Sequence, residues 1–488
     1  MSKAFSLLGM GPRSSAARTL QLAALAALAL AAYVLYTTPL LSHPLRALAA
    51  LAPQPRVRAS CPPRAYANGS WVPRATVPVS TARADLRMHA PEDALAFAGF
   101  DGCASSREFW WHLAADKESL WDRFPGVTSW EWMPAEDCDL RPFSAAALVK
   151  DLVETGGWLL IGGERPSRVL YSVTENHFFS LSCLLYPHVR ATPNYTENPY
   201  FDRAWPQHLY LDPSSPLLPA LSLPRGFSIA DTPLVTFRRV DLLLDKEELE
   251  ALHAERYTAS GAAEDASGVS GTAASAGELP PLFSEEAFWS LSPAFYVREL
   301  LLAPAPLRYG TLVISTGGHW TTTLLSGLAD ASLPANGIEN VIAFFGRAME
   351  AWAARVQRML DEHREGERRK SWWARSGGAE KRVVVRAYLP GHEDCHDERE
   401  PWTAWKPYRW NWYNWANIGE MNGVFESVLA SLRFPDIHFL PIDRPALLRP
   451  DAHVASDCLH IMTGAGVLEG WTHYIWQFVS RELPGRIR

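Results

Sequence analysis

Short apolar runs alternate with amphipathic stretches along most of the chain. Gly157 to Gly162 (GWLLIG), Tyr309 to Gly318 (YGTLVISTGG) and Arg382 to Leu389 (RVVVRAYL) have the length and glycine punctuation of buried strands. Between the second and third, residues 337 to 368 carry Val341, Phe344, Phe345, Met349, Trp352, Val356, Met359 and Leu360 at helical spacing, with charge on the opposite face. A further helix-like run spans Val467 to Leu483. Apolar strands alternating with amphipathic helices predict an α/β layered fold with a mostly parallel sheet. One interruption, residues 258 to 277, consists mostly of Ala, Ser, Gly and Thr and reads as a disordered insertion.

The longest apolar run, Leu20 to Leu41, is of another kind. About 20 helical residues span a bilayer core, and Lys3, Arg13 and Arg18 precede the run, which places the N-terminus in the cytosol. This predicts a cytosolic tail (1–19), a transmembrane signal anchor (20–41), a Pro-rich lumenal stem (42–95) and a folded domain (96–488). A cleaved signal peptide and a mitochondrial presequence are the alternatives. Prolines 39, 44, 53, 55, 62, 63, 73 and 78 favour an extended stem.

Charge sharpens the division. The chain carries −7 overall, yet residues 1 to 84 hold nine basic side chains and no acid, leaving 37 basic against 53 acidic in the remainder. A domain so acidic is a poor match for a phosphate backbone, which excludes general nucleic-acid binding. Six cysteines (61, 103, 138, 183, 395, 458) allow up to three disulfides in an oxidising lumen, with buried free thiols as the alternative. Sequons at Asn68 and Asn194 lie on the same side.

Candidate chemistry gathers where strands end, as expected of an open α/β sheet. Ser172 to Phe179 (SVTENHFF) follows the first strand, Ser315 to Trp320 (STGGHW) ends the second, and Asp457-Cys458-Leu459-His460 precedes the last helix-like run. A hydroxyl, an imidazole and a carboxylate are the minimal set for acyl transfer. Singly, Ser172 reads first as a helix N-cap, and Asp-x-x-His is equally a surface pair. His177 reads as a packed helix residue, and His319 as a substrate contact or a buried hydrogen-bonding histidine. His392, with Asp394, His396 and Asp397 around Cys395, fits no standard metal spacing, so no metal is assigned. Trp402, Trp405, Trp410, Trp412 and Trp415 crowd fourteen residues beside Tyr408, Arg409 and Tyr413. Such faces stack on sugar rings, or pack beneath a Pro-rich loop.

Taken in order, these elements and Tyr413 to Gly419 (YNWANIG) resemble the trichome birefringence-like and fungal capsule-polysaccharide O-acetyltransferase family, a PC-esterase branch of the SGNH (GDSL-type) hydrolases. The resemblance covers roughly residues 100 to 480. It implies a three-layer αβα SGNH-hydrolase-like domain in the Golgi or secretory-pathway lumen. Ser172 would be the nucleophile, His460 the general base and Asp457 the residue fixing its tautomer. Gly162, Ser315, Gly317 and Gly318 would form the oxyanion turn. His319, Trp320, Arg386, Trp410, Trp412, Asn414 and Trp415 would contact substrate. The acceptor would be a polysaccharide or glycan hydroxyl. No cofactor would be bound; acetyl-CoA or a relayed acetyl group would be co-substrate, brought by a separate membrane transporter. An acetylesterase and an inactive glycan-binding paralogue are the alternatives. Two departures stand out: residues 163 to 171 separate Gly162 from Ser172 where the family has Gly-Asp-Ser, and Ser315 replaces the family's oxyanion-hole Asn.

Overall fold

A computed structural model describes residues 60–75, 87–163, 172–197, 205–255, 280–370, 380–409 and 411–483. The expected membrane anchor, the 258–277 insertion, most of the 163–171 segment and Trp410 lie outside the described residues. Among the described residues no helix is long and apolar enough to cross a membrane.

All three apolar runs are strands: β3 (Gly157–Gly162), β7 (Tyr309–Ser315) and β8 (Arg382–Arg386), buried at every position. Strands β7 and β8 end three residues short of the sequence expectation, and their last residues turn into loops. They belong to a seven-stranded sheet with β4 (Val189–Thr192), β5 (Gln207–Leu211), β6 (Pro233–Arg239) and β9 (Ile437–Leu440), in the order β4-β5-β6-β3-β7-β8-β9. Every pairing from β6 to β9 is parallel; β4 and β5 add an antiparallel edge.

Side chains alternate across a strand, so the sheet divides two cores. Trp158, Leu160, Val313 and Val384 face α1 (Ala145–Thr155), α2 (Val173–Leu184) and α5 (Val467–Gln477). Leu159, Ile161, Leu312 and Val385 face α3 (Ile338–Arg369) and α4 (Ile418–Leu429). Helices thus cover both faces, which is why the parallel strands read as continuous apolar runs rather than alternating ones. All eight apolar positions named for the long helix are buried in α3.

The expectation of a stem up to residue 95 does not hold for residues 60–75, which build into the domain. Ser70–Pro73 (β1) pairs antiparallel with Trp130–Met133 (β2). Tyr66 stacks on Tyr474 at 4.3 Å and its neighbour Cys61 is bonded to Cys138. Cys103–Cys183 and Cys395–Cys458 complete three disulfides, with no cysteine free.

Candidate active site

In chain order the five parallel strands β3, β6, β7, β8 and β9 are arranged second, first, third, fourth, fifth. The order reverses between β3 and β7, and ligands of open α/β sheets bind outside the carboxyl ends of the strands at such a switch point. Gly162 and Ser315 are register partners there. A Cβ on Gly162 would overlap Thr174 Oγ1, so only glycine lets the first turn of α2 approach the strand end this closely. Gly317 and Gly318 lie against the ring of Tyr388, and Gly318 likewise has no room for a side chain.

Ser172 is the N-cap of α2. Its Oγ accepts from Thr174 N–H at 3.2 Å and donates to the Gly163 carbonyl at 3.0 Å. The hydroxyl's one proton is therefore held by a backbone oxygen, and must turn from it before an imidazole can take it. Ser315 is fully buried and its Oγ has no hydrogen-bond partner among the described residues.

The Asp457–His460 pair is formed. His460 Nδ1 lies 3.0 and 2.9 Å from the two carboxylate oxygens, one of which also accepts the backbone N–H groups of Leu459 and His460 at 2.9 Å. Burial would raise the Asp457 carboxyl, but the His460 charge and these bonds prevail and hold it well below the usual carboxylate range. With Nδ1 facing the carboxylate, Nε2 is the ring's basic face.

Several contacts connect this loop to α2. Asn176 Nδ2 meets His112 Nδ1 at 3.1 Å, Thr463 N–H donates to the His112 carbonyl, and the neighbouring Trp111 ring lies 5.5 Å from that of His460. His112 is pushed well below its ordinary value by burial and by the Arg107 and His460 charges, so it is neutral. Its Nε2, like Asn176 Oδ1 and Thr463 Oγ1, is buried without a hydrogen-bond partner among the described residues. The helices themselves are joined by Ser180 Oγ donating to Glu469 (2.6 Å) and by His177 Nε2 at 2.9 Å from Thr472 Oγ1. His177 is a packed, neutral helix residue, pushed by burial and then by Arg386 down to about 3.

Sequence reasoning missed a second polar centre at the end of β6. Asp241, fully buried, accepts Arg239 Nε and Nη2 at 3.2 Å and Trp289 N–H at 2.7 Å, while Thr316 Oγ1 donates to its carbonyl. Its available signal is the sequence Arg238-Arg239-Val240-Asp241, charge placed directly after a strand-like LVTF run. His319 belongs to this centre: its Nε2 is 3.5 Å from the Asp241 carboxylate and its side chain is 1% exposed.

Five of the expected substrate contacts are buried in the fold. His319 is buried with its Nε2 3.5 Å from the Asp241 carboxylate, and Trp320 is in the core with its ring edge-on to Phe345 at 4.9 Å. Arg386 is fully buried with its guanidinium 3.7 Å from the Trp471 ring; burial pushes it down to about 9, and its Nη2 has no hydrogen-bond partner among the described residues. Trp415 is buried against Gly391. Asn414 is nearly buried too, in a left-handed backbone conformation with φ of 57°. The aromatic loop packs both on itself and on the core: Trp402 meets Trp405 and His392, Trp405 meets Tyr408, and the Tyr408 hydroxyl donates to Gly391 O at 2.6 Å. Of Trp402, Trp405 and Tyr408, Trp405 is the exposed one, at 38%.

Asn68 and Asn194 are both exposed, as glycan acceptors must be. Cys395, His396 and Cys458 lie within 4.8 Å of one another, but both sulfurs are committed to their disulfide.

Compared with family models, curated proteins and solved structures, the chain has no match.

Proposed function

We propose that the chain is a lumenal O-acetyltransferase of SGNH type, resembling the trichome birefringence-like family and anchored in a Golgi or secretory-pathway membrane by residues 20–41. The observation that carries this reading is the Asp457–His460 pair, on a loop linked through His112 to α2, whose N-cap is Ser172. A carboxylate on Nδ1 leaves Nε2 as the base, the division of roles that acyl transfer requires.

In this reading Ser172 Oγ turns from Gly163, gives its proton to His460 and attacks the acetyl carbonyl. The donor's leaving group departs with that proton, and a glycan hydroxyl, deprotonated by His460, takes the acetyl group and frees Ser172. The helix N-terminus and the turn from Ser315 to Gly318, with the unpartnered Ser315 Oγ, supply stabilising dipoles for the oxyanion. The donor is acetyl-CoA or a relayed acetyl group brought by a membrane partner.

A second reading, a glycan-binding chain without turnover, is favoured by the proton of Ser172 being held by Gly163. Incubating the full chain with an acetyl donor and oligosaccharides separates the cases. Acetylated product supports the transferase, acetate release from acetylated glycan identifies an esterase using the same residues, and binding without turnover identifies the second reading. Full activity in Ser172→Ala would overturn the nucleophile.

A further inference from the structure

Behind the His460 loop lies a second imidazole arrangement. His392 Nδ1 is 2.7 Å from His453 Nε2, although 61 residues separate them in sequence. At the outer ends, His392 Nε2 is 3.0 Å from Leu447 O and His453 Nδ1 is 3.1 Å from His460 O. Both rings are at most 1% exposed.

These three contacts need three N–H groups. A carbonyl oxygen only accepts, and two bare ring nitrogens repel, so each contact requires one proton of its own. Two neutral imidazoles carry two. Turning either ring over puts carbons where the nitrogens are and loses contacts instead of supplying a proton.

We propose that His392 and His453 take up one shared proton, and that with it they form a positioning pair clamping the backbone of His460. The positioning role rests on His460 being the base of the proposed reaction; the proton count does not. Without the shared proton one of the three contacts is unmade. With it, the His460 carbonyl is held by both His453 and Val454 N–H, the latter at 2.9 Å. The His392 side is itself fixed to the loop, since its backbone N–H donates to Cys458 O at 2.8 Å and Cys395 is bonded to Cys458.

The groups facing the pair set the pH at which the proton binds. Asp451 and Glu398 favour charge on His392, and Asp457 favours it on His453, while His396 opposes it. Arg449 is bonded to Asp451, Lys406 to Glu398, and Arg123 donates to the His453 carbonyl, so each cation offsets part of that help. Burial outweighs the carboxylates and pushes His392 down to about 4, so uptake falls on the acid side of neutrality.

Histidine C2–H exchange in D₂O, read residue by residue by mass spectrometry on the full chain from neutral pH to well below the His392 value of about 4, tests this. The expected result is one midpoint common to His392 and His453, with the Val454 amide about threefold to tenfold better protected below it, after correction for intrinsic exchange. In His392→Gln the amide NH₂ donates to His453 Nε2 while His453 Nδ1–H keeps His460 O. The His453 step then disappears and Val454 protection loses its pH dependence. Two separate midpoints, no step in either histidine, or an unchanged His453 step in His392→Gln would overturn the proposal. Should that variant not fold, the wild-type curves decide, because a shared proton demands a common midpoint. No readout uses turnover: a common step without acetyl transfer sinks only the transferase reading, and transfer without a step sinks only the shared proton.

Discussion

Asp457–His460 and Asp241–His319 are two carboxylate–histidine contacts that differ in what else the carboxylate holds. Asp457 meets His460 Nδ1 with both oxygens and otherwise accepts backbone N–H groups, so the imidazole is its one cationic partner among the described contacts. Asp241 meets His319 only at 3.5 Å and is already paired with Arg239, whose guanidinium stacks 3.5 Å from the Trp289 ring. A carboxylate neutralised by arginine has little left with which to stabilise an imidazolium. The first pair is the one that the proposed reaction uses as its base, whereas the second anchors the strand end against which Gly163 and Thr316 pack.

Removing each carboxylate tests that contrast, and the largest effect belongs to the first. Asp457→Asn is expected to lower acetyl transfer by about 10⁴-fold, and His460→Ala by about 10²-fold to 10⁴-fold, with circular dichroism unchanged. A loss below tenfold in both would show that this pair is not the base. Asp241→Ala leaves Arg239 buried without its counter-charge and is expected to cost about 3–5 kcal/mol in chemical denaturation, against which a simultaneous Arg239→Met should restore part. If Asp241→Ala were as stable as wild type, the anchoring role would be wrong.

Acidification acts on both regions through other histidines. His177 and His208, held by burial at about 3 and about 4, refuse protons that the unfolded chain accepts from its ordinary value of 6.5 downward. Their folded values are lowered, so the unfolded state binds more protons and stability falls as pH drops from about 6.5 towards 4, by about 1.4 kcal/mol per pH unit per histidine. Urea midpoints at pH 7 and pH 5 measure this, and a flat profile would refute it. The smallest effect is that of Ser172→Ala on stability, about 1 kcal/mol for a lost N-cap, whereas Ser172→Gly should cost only a few tenths. Equal losses in activity for the two variants alongside these unequal stabilities would separate nucleophile from cap.

Much of the fold was legible because its signals are local. The apolar runs of β3, β7 and β8 and the spacing of α3 depend on residues within a few turns of one another. β6 was legible in principle, since Leu234 to Phe237 is a β-prone run after Pro233, but a polar end concealed it. Strands β4, β5 and β9 are short and alternate weakly, and their pairing comes from neighbours distant in sequence. Within the site, Asp457 and His460 were legible because they are three residues apart. That Trp320 and Trp415 are buried was not legible, because an aromatic ring has the same letter in a core as on an exposed face.

By itself, then, the sequence determined the layered α/β class, the strands carrying the switch point, the Asp-x-x-His spacing and an even number of cysteines. Tertiary structure alone decided that Cys61 joins Cys138 and draws the supposed stem into the domain, that Asp241 is answered by Arg239, and that the Ser172 proton rests on Gly163. It also decided that His392 and His453 meet, 61 residues apart, with three contacts and two neutral-state protons. The physical reason is range: periodicity records which way a side chain faces, whereas the partner it meets there is set by how distant segments pack.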